Sequence, residues 1–322
     1  MALAYALARV AAALYLHAEI EPGPGLDRWN RIANVWAMPR GAHEAALRSF
    51  LARASEHHAR SGRREVILVA GDSQLYGYFL PAPGTVAAFL AGELPRASVY
   101  NASKLSGTYG WAQRALQEAR DEGLSPRVLV VNANPATLEG SGLEPGWRYR
   151  PQGLLASLLA TDETLVIAAD ALRSRMRGGP PRLDLYDARQ VPPGDGSYVV
   201  MGLRQDYYPR QWPPEVADSL RALLEDSRGK VDLLVVVASP HHYAPYNEAP
   251  YRYGWDTAPI VRESMALCAQ YAHAACLDLS TAFGREYFHD VVHLNEAGHR
   301  RLAAEIAAAI RSRLGEAGPV SR

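Results

Sequence analysis

Short apolar runs alternate along most of the chain with longer stretches in which apolar residues return every three or four positions. The short runs lie at 66–70, 98–101, 128–132, 233–238 and 276–279. Three of them, VILVA, VLVV and LLVVVA, are apolar at consecutive positions rather than at alternate ones. Strands that read this way are covered on both faces, which predicts a parallel sheet between two helical layers. The intervening stretches carry helix punctuation. Thr85 precedes VAAFLAGEL, and the stretch 108–122 ends at Gly123. Pro213 and Pro214 open EVADSLRALLEDSR, which stops at Gly229. Thr257 stands just before PIVRESMALCAQYAH, with proline at an early helical position, and Asn295 opens EAGHRRLAAEIAAAIRSRL. Strand and helix in strict alternation build βαβ crossovers and a doubly wound sheet.

Two regions depart from the alternation. Residues 135–212, rich in Gly, Pro and Arg, separate two core strands. So long an excursion predicts an inserted subdomain or lid, with a helix around 162–176 and a short strand near 198–201. Residues 1–64 form a helical lead-in, leaving 65–134 and 213–315 as the main domain. Positions 2–18 are largely apolar, but Arg9 interrupts them and the run is shorter than the roughly 20 residues of a spanning helix. It reads either as a helix packed on the main domain or as a degraded membrane anchor, and it lacks the charged start and cleavage site of a signal peptide.

Composition narrows the classes. Of 322 residues, 48% are hydrophobic and 21% charged, the mix of a folded globular protein rather than a disordered one. The 34 basic and 34 acidic residues balance, which argues against a broad nucleic-acid partner, since that needs a cationic surface. Cys268 and Cys276 make neither a disulfide framework nor a metal site; they are expected as two buried thiols, with a bridge as the alternative. His57 and His58 lack spaced ligand partners, so no metal is expected. There is no dinucleotide fingerprint and no phosphate loop, and hence no cofactor is called for.

The chemistry gathers at strand ends. The first strand runs into Gly71-Asp72-Ser73-Gln74, which puts a serine on the turn into the next helix, where parallel sheets place their ligands. Near the C-terminus, Asp290-Val291-Val292-His293 puts a carboxylate and an imidazole three residues apart on one short loop. The carboxylate can fix the imidazole tautomer and leave the other ring nitrogen to accept a serine proton. Gly107, after the second strand, could present an unobstructed backbone N–H to a developing oxyanion. An asparagine after the third strand, Asn134 with Asn132 in reserve, could present a side-chain amide. All these positions fall at carboxyl ends of successive strands and so share one edge of the sheet.

In that order the segments Gly71-Asp72-Ser73, Asn101 to Gly107, Asn134 and Asp290-x-x-His293 resemble the four blocks of the SGNH/GDSL hydrolase superfamily. The resemblance implies a three-layer α/β/α, flavodoxin-like fold. It implies Ser73 as nucleophile, His293 as base and Asp290 as its orienting partner. The oxyanion hole would be the Ser73 N–H, the Gly107 N–H and the Asn134 side chain. Gln74 stands where the motif usually has leucine, and Asn132-Ala133-Asn134-Pro135 replaces Gly-x-Asn-Asp. The insert and lead-in resemble the cell-envelope branch, similar to alginate O-acetyltransferases and the D-alanyl-lipoteichoic acid transfer protein. That favours an extracytoplasmic setting without fixing the compartment. His241, His242 and Tyr243, after the fourth strand, reach the same edge and, with Tyr246, Tyr251, Tyr253 and Trp255, are candidates to line a sugar cleft. Three functions stay open: an esterase acting on small acyl, chiefly acetyl, esters of carbohydrate; an acyltransferase to a surface glycan, with a membrane-bound acyl donor as implied partner; and a glycan-binding module with a vestigial triad.

Overall fold

The computed structural model describes residues 42–77, 80, 84–104, 107–133, 214–249 and 252–315, with the isolated positions 7, 11 and 176. Among the described residues, five strands, β1 (Glu65–Val69), β2 (Ala97–Asn101), β3 (Val128–Ala133), β4 (Leu233–Ala238) and β5 (Ala274–Asp278), form one parallel sheet in the order β2-β1-β3-β4-β5. The chain thus starts in the interior and winds outward both ways, so the direction of winding reverses between β1 and β3. A crevice opens at the carboxyl ends of strands flanking such a switch point.

Alternation of side chains along each strand feeds two separate cores. Val66, Leu68, Tyr100, Leu129, Val131, Leu234 and Val236 face one way. They pack on α1 (Ala42–Ser61), α4 (Tyr109–Asp121), α5 (Pro214–Asp226) and α7 (Ala258–Cys268). Ile67, Val69, Val99, Val130, Val235 and Val237 face the other way, onto α3 (Val86–Glu93) and α8 (Glu296–Leu314). The short helices α2 (Ser73–Tyr76) and α6 (Ala244–Asn247) sit at the carboxyl rim. The architecture is a three-layer α/β/α sandwich. All six residues of β4 are buried, so a Leu→Ala change there is expected to cost about 2–5 kcal/mol.

Most of the helix starts read from the sequence hold. Thr85, Thr108 and Asn295 each cap a helix by accepting a backbone N–H three residues on, at 3.4, 3.2 and 3.0 Å. Thr257 makes no side-chain cap on α7: its backbone is already helical (φ −87°, ψ −17°), and its hydroxyl is bonded to His241. β5 begins at Ala274, two residues ahead of the apolar run, since pairing with β4 starts at Leu234 opposite Ala274.

The cysteines correct the sequence reading. Rather than two thiols, Cys268 and Cys276 form a disulfide across Cα positions 6.0 Å apart, joining the last residue of α7 to β5. The helix turns directly back into the strand, which brings two residues only eight apart in sequence side by side.

From the lead-in, α1 is part of the core: Leu47, Phe50, Leu51 and Ala54 are fully buried against the sheet layer. The apolar run 2–18 (apart from 7 and 11), the insert 135–212 with its expected helix and strand (apart from 176), and Asn134 lie outside the described residues. Among the described residues no helix is long and apolar enough to cross a membrane.

Candidate active site

β1 delivers Gly71-Asp72-Ser73 to the carboxyl rim, and the turn is held from every side. Asp72 caps α2 by accepting the Gln74 N–H at 2.8 Å, which makes Ser73 the first helical residue. The Gly71 N–H donates to Ser103 Oγ (2.9 Å), and the Gly71 carbonyl accepts the Lys104 N–H (3.0 Å). The Asp72 N–H donates to Asn132 Oδ1 (2.9 Å). Asn132 Nδ2 returns the bond to Asp72 Oδ1 (2.6 Å) and also donates to Ser239 Oγ (2.8 Å). From β2, Asn101 Nδ2 donates to the Leu75 carbonyl at 2.9 Å. Asp72, Asn101, Ser103, Asn132 and Ser239 are all buried, so each of these bonds forms out of competition with water.

The second component is the loop between β5 and α8. A short 3-10 turn, Arg285–Tyr287, leads into a reversal closed by an antiparallel bridge between Phe288 and Leu294 and by the His289 N–H on the His293 carbonyl (2.8 Å). Inside it Asp290 is fully engaged. Its Oδ1 accepts the backbone N–H groups of Val292 (2.9 Å) and His293 (2.7 Å), and its Oδ2 accepts His293 Nδ1–H at 2.7 Å. Burial pushes the Asp290 carboxyl up. The adjacent His293 ring and the hydrogen bonds from His293 and the two amides outweigh that, and the net direction is down. Asp290 is therefore a carboxylate, and a carboxylate against Nδ1 fixes the proton on that nitrogen. His293 Nε2 is left as an acceptor, and Ser73 Oγ lies 3.0 Å from it. The structure thus brings together Ser73, His293 and Asp290 from segments 220 residues apart, in one unbroken hydrogen-bonded series.

The proposed oxyanion donors fare differently. The Ser73 N–H, at the first position of α2, has no acceptor within its helix. Gly107 sits on the same rim, but its N–H closes a turn by donating to the Lys104 carbonyl at 3.0 Å. What the structure requires of Gly107 is the lack of a side chain, because a Cβ there would collide with the Gly71 carbonyl. Asn132, the reserve amide, is already committed on both its oxygen and its nitrogen to Asp72 and Ser239, so it braces the serine turn.

Among the candidates for a sugar cleft, His241 and Tyr243 face inward. His241 Nδ1–H donates to the Ser239 carbonyl (3.0 Å), which leaves Nε2 to accept from the Thr257 hydroxyl (2.7 Å). Burial lowers its pKa, opposed in part by the Ser239 carbonyl and Asp278. Tyr243 is buried and edge-on to Trp255, with ring centres 5.3 Å apart, in a cluster with Ile260 and Val291 that Tyr253 also packs against. His242 is half-buried and stacked near Phe288 at 6.3 Å, and its backbone N–H holds the Val291 carbonyl at 2.8 Å. These residues wall and support the loop that carries the imidazole. Tyr251 and the Tyr246 side chain lie outside the described residues.

The fold and the site together define an α/β protein with a serine, an imidazole and a carboxylate aligned at the carboxyl rim of its sheet. No family model and no curated protein matches the sequence. Several solved structures resemble it at low identity. One is a carbohydrate esterase family 2 enzyme with a carbohydrate-binding domain from Corynascus thermopiles (Myceliophthora fergusii). It shows 15% identity and TM-score 0.45, with 79% of this chain and 68% of that one covered. Another is a catalytic mutant of Axe2, an acetylxylan esterase from Geobacillus stearothermophilus, at 14% identity and TM-score 0.42, covering 81% and 99%. A third is a member of the lipolytic protein G-D-S-L family from Veillonella parvula, at 12% identity and TM-score 0.43, covering 78% and 100%.

Proposed function

We propose that this chain is a serine hydrolase of the SGNH/GDSL type that cleaves small acyl esters, acetyl esters of carbohydrate above all. The observation that carries the reading is the series Ser73 Oγ–His293 Nε2 at 3.0 Å and His293 Nδ1–Asp290 Oδ2 at 2.7 Å. The ordered motif blocks support it, and the sugar expectation comes from the resemblance of the insert and lead-in to the cell-envelope branch.

In this mechanism Ser73 Oγ attacks the ester carbonyl while its proton passes to His293 Nε2. The imidazolium so formed lies against the ionised Asp290, which stabilises it. The carbonyl oxygen, now negative, is met by the Ser73 N–H. Asn134 and Gly107 are the further donors of the proposal, and for Gly107 this requires its N–H to leave the Lys104 carbonyl when substrate binds. The tetrahedral intermediate collapses, His293 returns the proton to the departing sugar oxygen, and an acyl-Ser73 ester remains. Water then attacks that ester with His293 as base, releasing the acid and restoring the serine. If a glycan hydroxyl takes the place of water, the same steps make a transferase, and the acyl-enzyme is common to both.

The test is acetate release from p-nitrophenyl acetate and from acetylated oligosaccharides. The wild-type chain should turn both over, and Ser73→Ala should lose about 10⁵-fold or more in kcat with its fold intact. A Ser73→Ala variant of near wild-type activity contradicts the proposal. Acetylated acceptor forming faster than free acetate when a glycan is added identifies the transferase.

A further inference from the structure

We propose that Gln74 is a positioning residue that locks the loop carrying His293 against the turn carrying Ser73, so that the separation of nucleophile and base depends on it. The proposal rests on the reading of Ser73 and His293 given above and adds a residue to it. Gln74 is 1% exposed, and its Nε2 donates to two backbone carbonyls, Pro240 at 2.6 Å and Val292. A nitrogen facing two carbonyls fixes which way the amide points. The residues involved are direct neighbours of the chemistry. Gln74 follows Ser73, Val292 precedes His293, and Pro240 follows Ser239, whose hydroxyl is held by Asn132. One side chain therefore spans three rim segments that meet only in the folded protein, and its bond to Val292 runs beside the Ser73–His293 bond one residue away.

The other end of the amide shows that packing alone does not account for this residue. Gln74 Oε1 is buried and receives no hydrogen bond from any described residue. An apolar side chain of similar size, such as the leucine usual in this motif, would fill the same volume without stranding a buried acceptor. The amide is thus matched to the site through its donor side. Both of its acceptors lie on loops rather than on strands, which are the parts of the rim with most freedom to drift.

The experiment compares wild type, Gln74→Leu and Gln74→Met, two substitutions that keep the size and remove the donors. Steady-state kinetics on p-nitrophenyl acetate should show kcat reduced about 10- to 100-fold, the scale of a sub-ångström to ångström misplacement of a reacting group. KM should stay within about twofold, because the loss falls on the chemical step. Deuterium uptake at the backbone of 288–294 should rise in both variants while the core strands stay protected. That arm needs no activity. If Ser73 proves not to be the nucleophile, faster exchange confined to 288–294 still supports the clamp, whereas unchanged exchange overturns it. Where the wild type is active, kcat within about twofold of wild type in the folded variants overturns the proposal. So does a loss that vanishes well below the variants' melting temperatures.

Discussion

The two ends of the same sheet are built on opposite principles. At the carboxyl rim, Asp72, Gln74, Asn101, Ser103, Asn132, Ser239, Asp290 and His293 are polar and buried, joined by short hydrogen bonds between segments far apart in sequence. At the amino rim, Arg127 bridges Glu65 and Asp232, at 2.8 Å to the latter, from positions partly or largely exposed. Water can replace a partner at the amino rim and cannot at the carboxyl rim. An exposed ion pair tolerates loose geometry, whereas a buried polar group that loses its partner is strongly destabilising. The difference marks where the protein must hold atoms in place. It is the end where Ser73 meets His293.

The sharpest way to break the comparison is at Asp290. Asp290→Asn keeps size and burial but replaces a charge that fixes the Nδ1 tautomer with an amide that need not. The account expects kcat lower by about 10⁴-fold, read with a soluble acetyl ester; less than about 10-fold would mean the carboxylate is not orienting the base. Asn132→Ala comes next. It removes the hydrogen bonds that Asn132 makes to the Asp72 N–H and to Ser239 Oγ, both buried, and should cost about 1–3 kcal/mol in urea unfolding together with a fall in kcat. Unaltered stability would show that the brace is replaceable.

A third, smaller effect concerns acid. His241 is held with its pKa below the usual histidine value chiefly by burial, and His57, His58, His273 and His289 are shifted the same way for the same leading reason. The unfolded chain then binds protons that the folded chain refuses. The contribution from these neutral imidazoles is complete above about pH 6.5 and is lost as pH falls through their lowered folded values. Asp290, also lowered, adds a loss only below about pH 3.9. The urea midpoint should therefore drop between pH 7.5 and 5.5, before most carboxylates titrate, and less steeply in His241→Gln. An identical slope in that variant would remove His241 from the account. The smallest effect belongs to the amino rim, where Arg127→Gln should lower stability by under about 1 kcal/mol and leave kcat unchanged.

The sheet could be read from the sequence because burial on both faces leaves short, valine-rich apolar runs such as LLVVVA, too short for a buried helix. β5 was less legible: its first residues, Ala274 and Ala275, carry little apolar signal, and only pairing with β4 makes them strand. The serine turn and the Asp–His loop were legible because each is a local motif with one fixed spacing. The residues that brace them were not. Asn132 acts on residues 60 and 107 positions away, and Gln74 on carbonyls 166 and 218 positions away, distances over which no local pattern exists. His241 shows the reverse case. Its position at the rim suggested substrate contact, but both ring nitrogens are taken by Ser239 and Thr257.

The central claim is that the Ser73 hydroxyl is activated by the imidazole beside it. Labelling the folded chain with a fluorophosphonate probe, followed by peptide mapping, tests it without knowledge of the natural ester. The account predicts a single adduct on Ser73, formed slowly or not at all in His293→Ala. An adduct on another serine, or no adduct in protein shown to be folded, would contradict it.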